Sequence, residues 1–496
     1  MTTASQPAIW FSTAHNSLPA LDRDLDVPIV IIGGGLMGLT AALELARAGQ
    51  RAILLERRWI GAGETGHTTA HVTARPDMPM ADLVSSLGVD KAAQLWNAMA
   101  GAVDHLKARS EQLNVPFCTV DAWLLGRDAR LRSELEALLG VGASAFIGPP
   151  PAPLPRKQGL CVRAQARFDV AEYLRAIAAQ AQQLGAQIFE GSAVTAADGN
   201  RLTVSSALGE FMVSADRVIV ATHAPVFANP LLLDRLEPTQ SYAIAVAVPS
   251  GSAPDVLCED DQNPYHYYRL ERGATRGHAN EDIVIFGGED HATGQPAKGS
   301  PFSKLQSTLQ TWLPNVSMRP LREWSGELWT VADGLPIIGT DDQGRYFGTG
   351  FAGVGMTQAT LAGLMATEWA RGRAVPWHDL FTPKRFSVSE VPGFIQRGAG
   401  FVANLIGAGL PHKLPSPDSL EPGQGQIVRG EAGKAAAYRP LIGSTLQLES
   451  RCTHAGCELV WNALDSTWDC GCHGSRFTAG GEVRSGPALR AMKPLE

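Results

Sequence analysis

The stretch VPIVIIGGGLMG at residues 27–38 decides the fold of the larger part of the chain. Its first half is a near-continuous apolar run, which is typical of a parallel strand buried on both faces. A helix pattern follows and ends at Gly49, and a second apolar strand runs from Arg51 to Leu55 before Glu56. This order of strand, glycine-rich turn, helix and strand predicts an α/β unit with a parallel sheet.

The glycines of this turn have separate physical roles. Gly33 is suited to the tight turn, Gly35 to close approach of a pyrophosphate, and Gly38 to close packing of helix on strand. The first turn of the helix offers unpaired N–H groups to a diphosphate. Glu56, about 20 residues further on, is placed to accept hydrogen bonds from ribose hydroxyls. The pattern therefore predicts a dinucleotide site.

Composition narrows the class of protein. The 496 residues are 45% hydrophobic and 18% charged, with a net charge of −7. This length favours two or three domains, and the negative charge argues against nucleic acid or an anionic membrane as a partner. No apolar run approaches the roughly 20 residues of a membrane span, and the N-terminus lacks the pattern of a secretory signal. We therefore expect no membrane span and a cytoplasmic location.

Changes in composition and in predicted secondary structure along the chain predict its domain organisation. We expect an arm at 1–26; an α/β Rossmann-like domain built from about 27–79, 150–235 and 331–372; an α+β domain with an antiparallel sheet from about 80–149 and 236–330; a linker at 373–412; and an all-β domain at 413–496.

Residues 27–372 resemble the D-amino-acid-oxidase-like family of FAD-dependent oxidoreductases. Further matching motifs are Glu56-Arg57, GAGETGHTTAHV at 61–72, DGLP at 333–336 and GFAGVGM at 350–356. The resemblance implies that FAD occupies the dinucleotide site and that the α+β domain binds the substrate. It assigns cofactor contacts to Gly33, Gly35, Gly38, Glu56, Arg57, Gly66, Thr69, Gly334, Gly353, Gly355 and Met356.

The resemblance also implies a reaction. Members of the family transfer a hydride from a C–H next to an amine nitrogen to the flavin, and the resulting imine hydrolyses. Such chemistry depends mainly on orientation in a dry pocket. Residues 326–330 carry no Cys at the place where some relatives attach the flavin, so we expect FAD to be bound noncovalently.

Candidate catalytic residues come from two strand-like segments. In the segment 265–270, His266 and Tyr268 share one face, and Tyr265, Tyr267 and Arg269 share the other. The sequence does not select the face that lines the pocket. The predicted catalytic residues are His266, Tyr268, Arg269, Asp290 and His291. Arg269 or Arg322 is a candidate partner for a substrate carboxylate; the alternative for all of them is sheet packing or a solvated turn.

A second group of candidate functional residues, made of Cys and His, lies near the C-terminus. CTHAGC at 452–457 and CGCHGS at 470–475 supply thiols and imidazoles at short spacing. Two Cys and two His suit a Rieske [2Fe–2S] cluster, in which His replaces Cys on one iron. Zinc is the rival ligand, since Cys and His at short spacing also build tetrahedral zinc sites.

From about residue 420 onward the chain resembles the Rieske proteins of quinol-oxidising cytochrome complexes. The match includes both Cys-His loops, the Gly-Ser after the second one, and SGPA at 485–488. The resemblance implies that Cys452, Cys470, His454 and His473 bind the cluster and that Cys457 and Cys472 form a disulfide. Zinc explains neither the additional Cys pair nor the later loop.

One departure from the Rieske pattern bears on the reduction potential. Phe477 stands where high-potential relatives have a Tyr whose hydroxyl bonds a cluster sulfur, whereas Ser475 can still donate. Hydrogen bonds to the sulfurs raise the potential. We therefore predict a potential below the high-potential type.

Together the two parts predict an enzyme that oxidises an amine or amino acid at FAD and passes electrons singly to the cluster and then to an external one-electron carrier. Three alternatives stay open at this point. Electron flow could be reversed, the flavin could react with O2 beside a structural cluster, or the protein could be a non-catalytic electron-transfer or redox-sensing module.

Overall fold

The computed structural model describes residues 8–11, 17–273, 277, 280–385, 414–431 and 433–495. Most of the predicted linker, from 386 to 412, lies outside the described residues, as do 1–7 and 12–16 of the predicted arm. Within the described part of the chain, no helix combines the length and apolarity needed to cross a lipid bilayer.

Ten α-helices are described. They are α1 (Leu36–Arg47), α2 (Glu64–His67), α3 (Met80–Leu87), α4 (Val89–Gln112), α5 (Asp128–Gly140), α6 (Val170–Gln183), α7 (Pro230–Leu233), α8 (Pro301–Trp312), α9 (Gly355–Ala370) and α10 (His378–Phe381).

Strands from the same residues form four sheets. They are β1 (Leu25–Ile32), β2 (Ala52–Leu55), β3 (His71–Val72), β4 (Phe117–Leu125), β5 (Ala145–Gly148), β6 (Gly159–Phe168), β7 (Gln187–Phe189), β8 (Ser192–Asp198), β9 (Arg201–Ser206), β10 (Gly209–Val220), β11 (Leu236–Pro249), β12 (Leu257–Asp260), β13 (His266–Glu271), β14 (Glu281–Ala292), β15 (Arg319–Val331), β16 (Ile337–Thr340), β17 (Tyr346–Thr349), β18 (Gly425–Gly430), β19 (Gly433–Tyr438), β20 (Leu446–Glu449), β21 (Leu459–Asn462), β22 (Thr467–Cys470), β23 (Arg476–Thr478) and β24 (Val483–Ser485).

The first sheet is the parallel α/β sheet that the opening stretch predicts. Its order is β16-β17-β10-β1-β2-β7, with β8 and β9 attached beside β10. Strands β10, β1, β2 and β7 are mutually parallel, so their carboxyl ends meet at one edge. The apolar run of β1 has Val30 and Ile31 fully buried, on opposite faces of the sheet. Helix α1 begins at that edge, directly after Gly35.

The second sheet has the order β15-β11-β14-β13-β12-β4-β6-β3, with β5 beside β6, and is antiparallel apart from the β12–β4 pair. Helix α8 begins with Ser300 as its N-cap and buries Leu305, Leu309 and Trp312 against this sheet. The antiparallel second sheet is confirmed. Strands β3 and β6 also belong to it, although both lie in segments that the sequence assigned to the α/β domain.

The C-terminal part is all-β, as predicted. It contains a three-stranded sheet, β18-β19-β20, and a four-stranded sheet, β21-β22-β23-β24. Trp468 and Phe477 are fully buried cross-strand neighbours at its centre. Its loops lie directly against the second sheet: a Cβ added to Gly294 would come within 2.3 Å of the Gly471 nitrogen. The C-terminal domain is therefore docked on the rest of the chain.

Candidate cofactor and active sites

A cleft opens at the carboxyl ends of the first sheet, where α1 and α9 begin. Its empty volume is about 1420 Å3, and its wall includes Gly33–Met37, Leu55–Arg58, Gly353, Gly355 and Met356. Both helices direct N-terminal turns at this space, and neither has an N-cap side chain that accepts from its first turn; in α1 the Leu36 N–H donates to the Thr65 hydroxyl at 3.1 Å. Unpaired N–H groups at helix N-termini favour an anionic group, such as a diphosphate.

The glycine-rich turn leaves no room for side chains. Gly33 has φ +109°, and a Cβ there would lie 2.5 Å from the Ala221 oxygen. A Cβ on Gly38 would lie 2.0 Å from the Gly33 oxygen, so α1 packs directly on the turn. Gly33 and Gly35 line the cleft, whereas Gly38 lies behind it. This turn fits the dinucleotide that the sequence predicts.

Glu56 lines the cleft and also holds the turn. Its carboxylate accepts hydrogen bonds from the Gly34 N–H at 2.7 Å and from the Arg58 N–H at 2.8 Å. Arg57 lines the cleft too, and burial lowers the pKa of its guanidinium. The predicted contact of Glu56 with a ribose stays a prediction.

His223 is a cleft residue that sequence reasoning missed. Its backbone has φ +63°, which is a strained conformation for a residue other than Gly. Its side chain is half-buried, and its Nε2 atom is buried without a hydrogen-bond partner among the described residues. Burial lowers the pKa of the imidazole. A buried imidazole nitrogen facing a cleft of this size fits a polar atom of a bound cofactor, and no motif marks it in the sequence.

The remaining predicted cofactor residues divide into two groups. Gly353, Gly355 and Met356 line the cleft at the start of α9. Gly66 and Gly334 serve close packing instead, because an added Cβ would lie 2.0 Å from the Gly61 oxygen and 2.7 Å from Met78, respectively. Thr69 lines a second cavity next to the cleft.

The second cavity, called here the aromatic cavity, has an empty volume of about 990 Å3 between the two sheets. Its aromatic lining consists of His67, His71, Trp123, Tyr265, Tyr267 and Trp324. It shares His67, Thr68, Gly326, Leu328 and Gly353 with the cofactor cleft. The two spaces are therefore contiguous, as a substrate pocket and its cofactor site must be.

The structure selects one face of the strand at 265–270. Tyr265 and Tyr267 face the aromatic cavity, and the Tyr267 hydroxyl lies 3.0 Å from the Ser241 hydroxyl. Tyr268 points into the opposite core and donates to the Pro254 oxygen at 2.8 Å. His266 stacks on Phe286 with ring centroids 5.6 Å apart. The predicted catalytic residues His266 and Tyr268 thus lie away from the cavity.

Arg269 is held by the backbone of the neighbouring loop. It is fully buried and donates to the Thr69 and Ala70 oxygens at 2.9 and 3.0 Å, and it pairs with Glu271. These bonds fix the 69–70 loop against the cavity wall. A guanidinium committed in this way does not serve as the partner of a substrate carboxylate, and neither Arg269 nor Arg322 lines the cavity.

Asp290 and His291 follow each other on β14 and therefore point to opposite faces. Asp290 lies beside Ser241 and Tyr265 at the back of the aromatic cavity, and burial raises the pKa of its carboxyl to about 7. His291 bonds the Tyr242 hydroxyl at 2.9 Å and lies near Asp465 and Asp469 of the C-terminal domain. The structure separates these two residues, which the sequence placed in one cavity.

The two Cys-His loops have the same backbone geometry. In each loop the first Cys N–H donates to the carbonyl five residues on, and its own carbonyl accepts from a Gly four residues on, at 2.8–3.0 Å. Those residues, Gly456 and Gly474, both have positive φ, +78° and +71°. The repeated geometry presents one Cys and one His from each loop.

The predicted ligands meet between these loops. The thiols of Cys452 and Cys470 are hydrogen-bonded, which lowers the pKa of Cys452 to about 7. The His454 and His473 rings lie 5.1 Å apart and perpendicular. Nδ1 of His454 is buried and has no hydrogen-bond partner among the described residues. Two thiols beside two converging imidazoles fit the donor set of a Rieske cluster.

A disulfide joins the two loops. Cys457 and Cys472 are bonded, and their sulfur atoms lie within 4.8 Å of the Cys470 sulfur. Ser475 is fully buried, accepts from the Ala488 N–H at 3.0 Å and bonds the Cys452 sulfur. The loop from 485 to 488 thus positions the hydroxyl that donates to a ligand sulfur.

The C-terminal domain contributes to the cofactor cleft itself. Arg484, Ser485, Gly486 and Leu489 are part of the cleft wall. Ser485 donates to Glu327 at 2.7 Å, and burial raises the pKa of Glu327 to about 8. On the cluster side, Nε2 of His473 lies 3.6 Å from the Asp234 carboxylate. No motif signals these contacts, because each one joins residues far apart in the chain.

Comparison with known proteins agrees with this geometry. A family model described as FAD dependent oxidoreductase matches residues 28–369, and one described as Rieske [2Fe-2S] domain matches residues 415–496. The chain is 30% identical to the Rieske 2Fe-2S iron-sulfur protein YhfW of Bacillus subtilis, over 98% of this chain and 96% of that protein.

Two further similarities concern the larger part of the chain. Gamma-glutamylputrescine oxidoreductase of Escherichia coli is 23% identical over 75% of this chain and 90% of that protein. The solved L-proline dehydrogenase from P. horikoshii has a TM-score of 0.60 at 20% identity and covers 74% of this chain and 98% of that chain. At 20% identity, the similarity to L-proline dehydrogenase shows that the two proteins share a fold.

Proposed function

Since the chain belongs to the family of FAD-dependent oxidoreductases and carries a C-terminal Rieske [2Fe-2S] domain, we propose that it is an amine or amino-acid dehydrogenase. When bound, FAD takes up a hydride from a substrate C–H and the Rieske cluster carries electrons singly. The substrate loses this hydride and a proton from its nitrogen, which passes to solvent, and it leaves as an imine that water hydrolyses. Two equivalents of an external one-electron carrier are the terminal acceptor.

The observation that carries this proposal is the shared cleft. Arg484, Ser485, Gly486 and Leu489 of the Rieske domain line the same cleft as the glycine-rich turn at 33–35. Ser485 belongs to the loop whose Ala488 N–H holds Ser475 on the Cys452 sulfur. One short segment thus borders both cofactor sites, which supports direct transfer within the chain.

The docked arrangement rests on buried polar contacts. The Ser325 hydroxyl donates to Asp465 at 2.5 Å, and Asp465 also pairs with Arg476. Asp465 and Arg476 have fully buried side chains. The Asp465–Arg476 pair lies within the Rieske domain, whereas the Ser325–Asp465 and Ser485–Glu327 hydrogen bonds join that domain to the rest of the chain. A buried hydrogen bond that loses one partner costs about 1–3 kcal/mol, so these two contacts favour one docked position. Fixing the two sites in one body gives the Rieske domain a high effective concentration at the cleft.

The chain's own residues prepare the aromatic cavity for oxidation of an amine. His71 is neutral, because burial lowers its pKa to about 3, and it bonds the Tyr268 oxygen and the Thr69 hydroxyl. Trp324 donates its indole N–H to the His67 oxygen at 2.8 Å and presents its ring to the cavity. These groups restrict water and orient the reacting C–H, which is what hydride transfer requires.

The test is an anaerobic titration of the loaded protein. A panel of amines and amino acids is added, and flavin bleaching and the cluster EPR signal are followed together. We expect bleaching followed by cluster reduction. A Cys452→Ser variant, which lacks a cluster ligand, should bleach without the EPR signal.

Other outcomes contradict the proposal. Bleaching of the wild type with a cluster that never becomes reduced would leave an oxidase whose Rieske domain is structural. No bleaching across the panel would favour reversed electron flow or a redox-sensing role.

A further inference from the structure

The aromatic cavity has walls suited to a cation. Trp123, Tyr265, Tyr267 and Trp324 surround it, and the rings of Tyr265 and Tyr267 have centroids 5.9 Å apart. The faces of such rings carry negative electrostatic potential and attract organic ammonium groups. An aromatic lining alone also suits neutral rings, so the charges around it decide which ligand it favours.

Carboxylates outnumber guanidinium groups at this cavity. Asp77 and Glu259 line it, Asp290 lies behind Tyr265, and Arg75 is the one guanidinium in the lining among the described residues. Arg75 pairs with both Glu134 and Glu259. Its charge is therefore already opposed by two glutamates before Asp77 is counted.

Asp77 has an exposed side chain that lines the cavity, and its carboxylate accepts a hydrogen bond from the Gly353 N–H. Burial raises the pKa of its carboxyl, and the Gly353 N–H and Arg75 oppose this effect. The pKa of Asp290 is raised for the same reason. In both cases desolvation is the largest cause, so the carboxylate form lacks the stabilisation that water would give it. A bound ammonium group would supply that stabilisation.

The other basic groups near the cavity do not offer a site for a carboxylate. Arg269 is committed to backbone oxygens and to Glu271. Burial lowers the pKa values of His67 and His71, so both imidazoles are neutral. A substrate α-carboxylate would thus enter a cavity of net negative charge without a bidentate partner.

We infer that the aromatic cavity binds an organic ammonium group, so that the substrate is an amine without an α-carboxylate rather than an α-amino acid. This assignment of substrate class rests on the dehydrogenase function proposed above. Asp77 is the residue that faces the ammonium group, with the aromatic walls around its substituents.

Binding of two matched, unreactive probes tests the inference without turnover. Benzyltrimethylammonium and benzoate share an aromatic ring and differ in charge. Each is titrated into the FAD-loaded protein, and the Kd is read from the change in the flavin absorption spectrum. We expect the ammonium probe to bind about tenfold more tightly or better. Tighter binding of benzoate overturns the inference.

A substitution of Asp77 tests whether this residue is responsible for the binding of the ammonium probe. Asp77→Asn keeps an oxygen that can accept from the Gly353 N–H but removes the charge, so the Kd of the ammonium probe should rise severalfold and that of benzoate should not. Asp104→Asn, an exposed position on α4, is the matched control and should change neither Kd. An equal effect of both variants on the ammonium probe overturns the role of Asp77.

Turnover separates this inference from the proposed function. In anaerobic mixing, phenethylamine should bleach the flavin faster than either enantiomer of phenylalanine, which differs by the α-carboxylate. Faster bleaching by phenylalanine overturns the substrate class and leaves the dehydrogenase intact. Selective binding of benzyltrimethylammonium without bleaching by any amine supports the cation site and contradicts the dehydrogenase.

Discussion

At the scale of single residues, the Rieske domain shows how one hydroxyl is placed on a ligand sulfur. The Ala488 N–H donates to the Ser475 oxygen, and the hydroxyl proton of Ser475 is therefore directed to the Cys452 sulfur. Phe477 is fully buried on strand β23, two residues further on, and offers no second hydroxyl donor. One hydroxyl donor is present beside the backbone N–H donors of the ligand loop, and a second hydroxyl would raise the potential further.

Substitutions at these two positions should shift the cluster potential in opposite directions. A hydrogen bond that favours the reduced form by about 1.4 kcal/mol corresponds to roughly 59 mV for a one-electron couple. Phe477→Tyr should therefore raise the potential by tens of millivolts, and Ser475→Ala should lower it by a similar amount. Redox titration followed by EPR measures both, and an unchanged potential in Phe477→Tyr would remove the reason given for a lowered potential.

Glu327 should make stability depend on pH. Burial raises its pKa from an ordinary 4.5 to about 8 in the folded protein. Between these values the folded state holds a proton that the unfolded chain releases, so stability falls as pH rises to about 8 and then levels off. Each unit of pKa shift corresponds to about 1.4 kcal/mol.

The Glu327→Gln variant isolates this contribution. Its amide can still bond the Ser485 and Thr293 hydroxyls, which Glu327 contacts at 2.7 and 3.2 Å, but it does not titrate. Thermal melts from pH 5 to 9 should show the wild type losing stability relative to the variant as pH rises. Parallel curves for the two proteins would show that Glu327 is not the titrating group.

At the scale of elements, the turn before α1 depends on close contact between backbones. Gly38 has no space for a Cβ because the Gly33 oxygen would lie 2.0 Å away, so a side chain there must push α1 off the turn. The sequence pattern predicts this requirement, since the motif is contiguous and its geometry is local.

Gly38→Ala should therefore impair FAD binding. Overpacking of this kind costs about 1–3 kcal/mol and moves the N-terminus of α1 away from the cleft. The variant should purify with little flavin and bind added FAD more weakly. Gly101→Ala on α4 is the control, because nothing lies within 4 Å of its added Cβ. Normal flavin content in Gly38→Ala would contradict the assigned role of this contact.

At the scale of the whole molecule, the Rieske domain is seated on the second sheet through backbone as well as side chains. Gly294 follows β14 and lies directly against Gly471, between Cys470 and Cys472 of the cluster loop. Gly474 of the same loop lies against Pro238 and Trp329. The position of the cluster therefore depends on a close fit at glycines.

Gly294→Ala should loosen this seat by pressing on the cluster loop at Gly471, while the glycine-rich turn of the FAD cleft stays unchanged. A Cβ there would lie 2.3 Å from the Gly471 nitrogen. A docking penalty of about 1.4 kcal/mol would reduce the ratio of docked to undocked molecules tenfold. We expect flavin bleaching at the normal rate and slower reduction of the cluster in anaerobic stopped-flow measurements.

Gly299→Ala is the matched control for this change. Gly299 has φ +76° against +78° for Gly294, so the backbone strain is similar, but its nearest neighbour is Lys304 at 3.8 Å. The control should transfer electrons at the wild-type rate. Equal slowing in both variants would assign the effect to backbone strain and not to docking.

The sequence by itself determined the features that short contiguous motifs encode. The glycine turn with β1 and α1, and the two Cys-His loops, belong to this class. Their geometry follows from neighbouring residues, and the resemblance drawn from them identified both cofactors and the family.

Only the tertiary structure decided which residues meet across the chain. It turned Tyr265 and Tyr267 to the cavity, committed Arg269 to a neighbouring loop, and brought Ser485 to Glu327, 158 positions away in sequence. Strand register and domain docking are sums of many weak contacts between distant segments. No local sequence pattern encodes these contacts, so the aromatic cavity and the shared cleft could be recognised only in the folded chain.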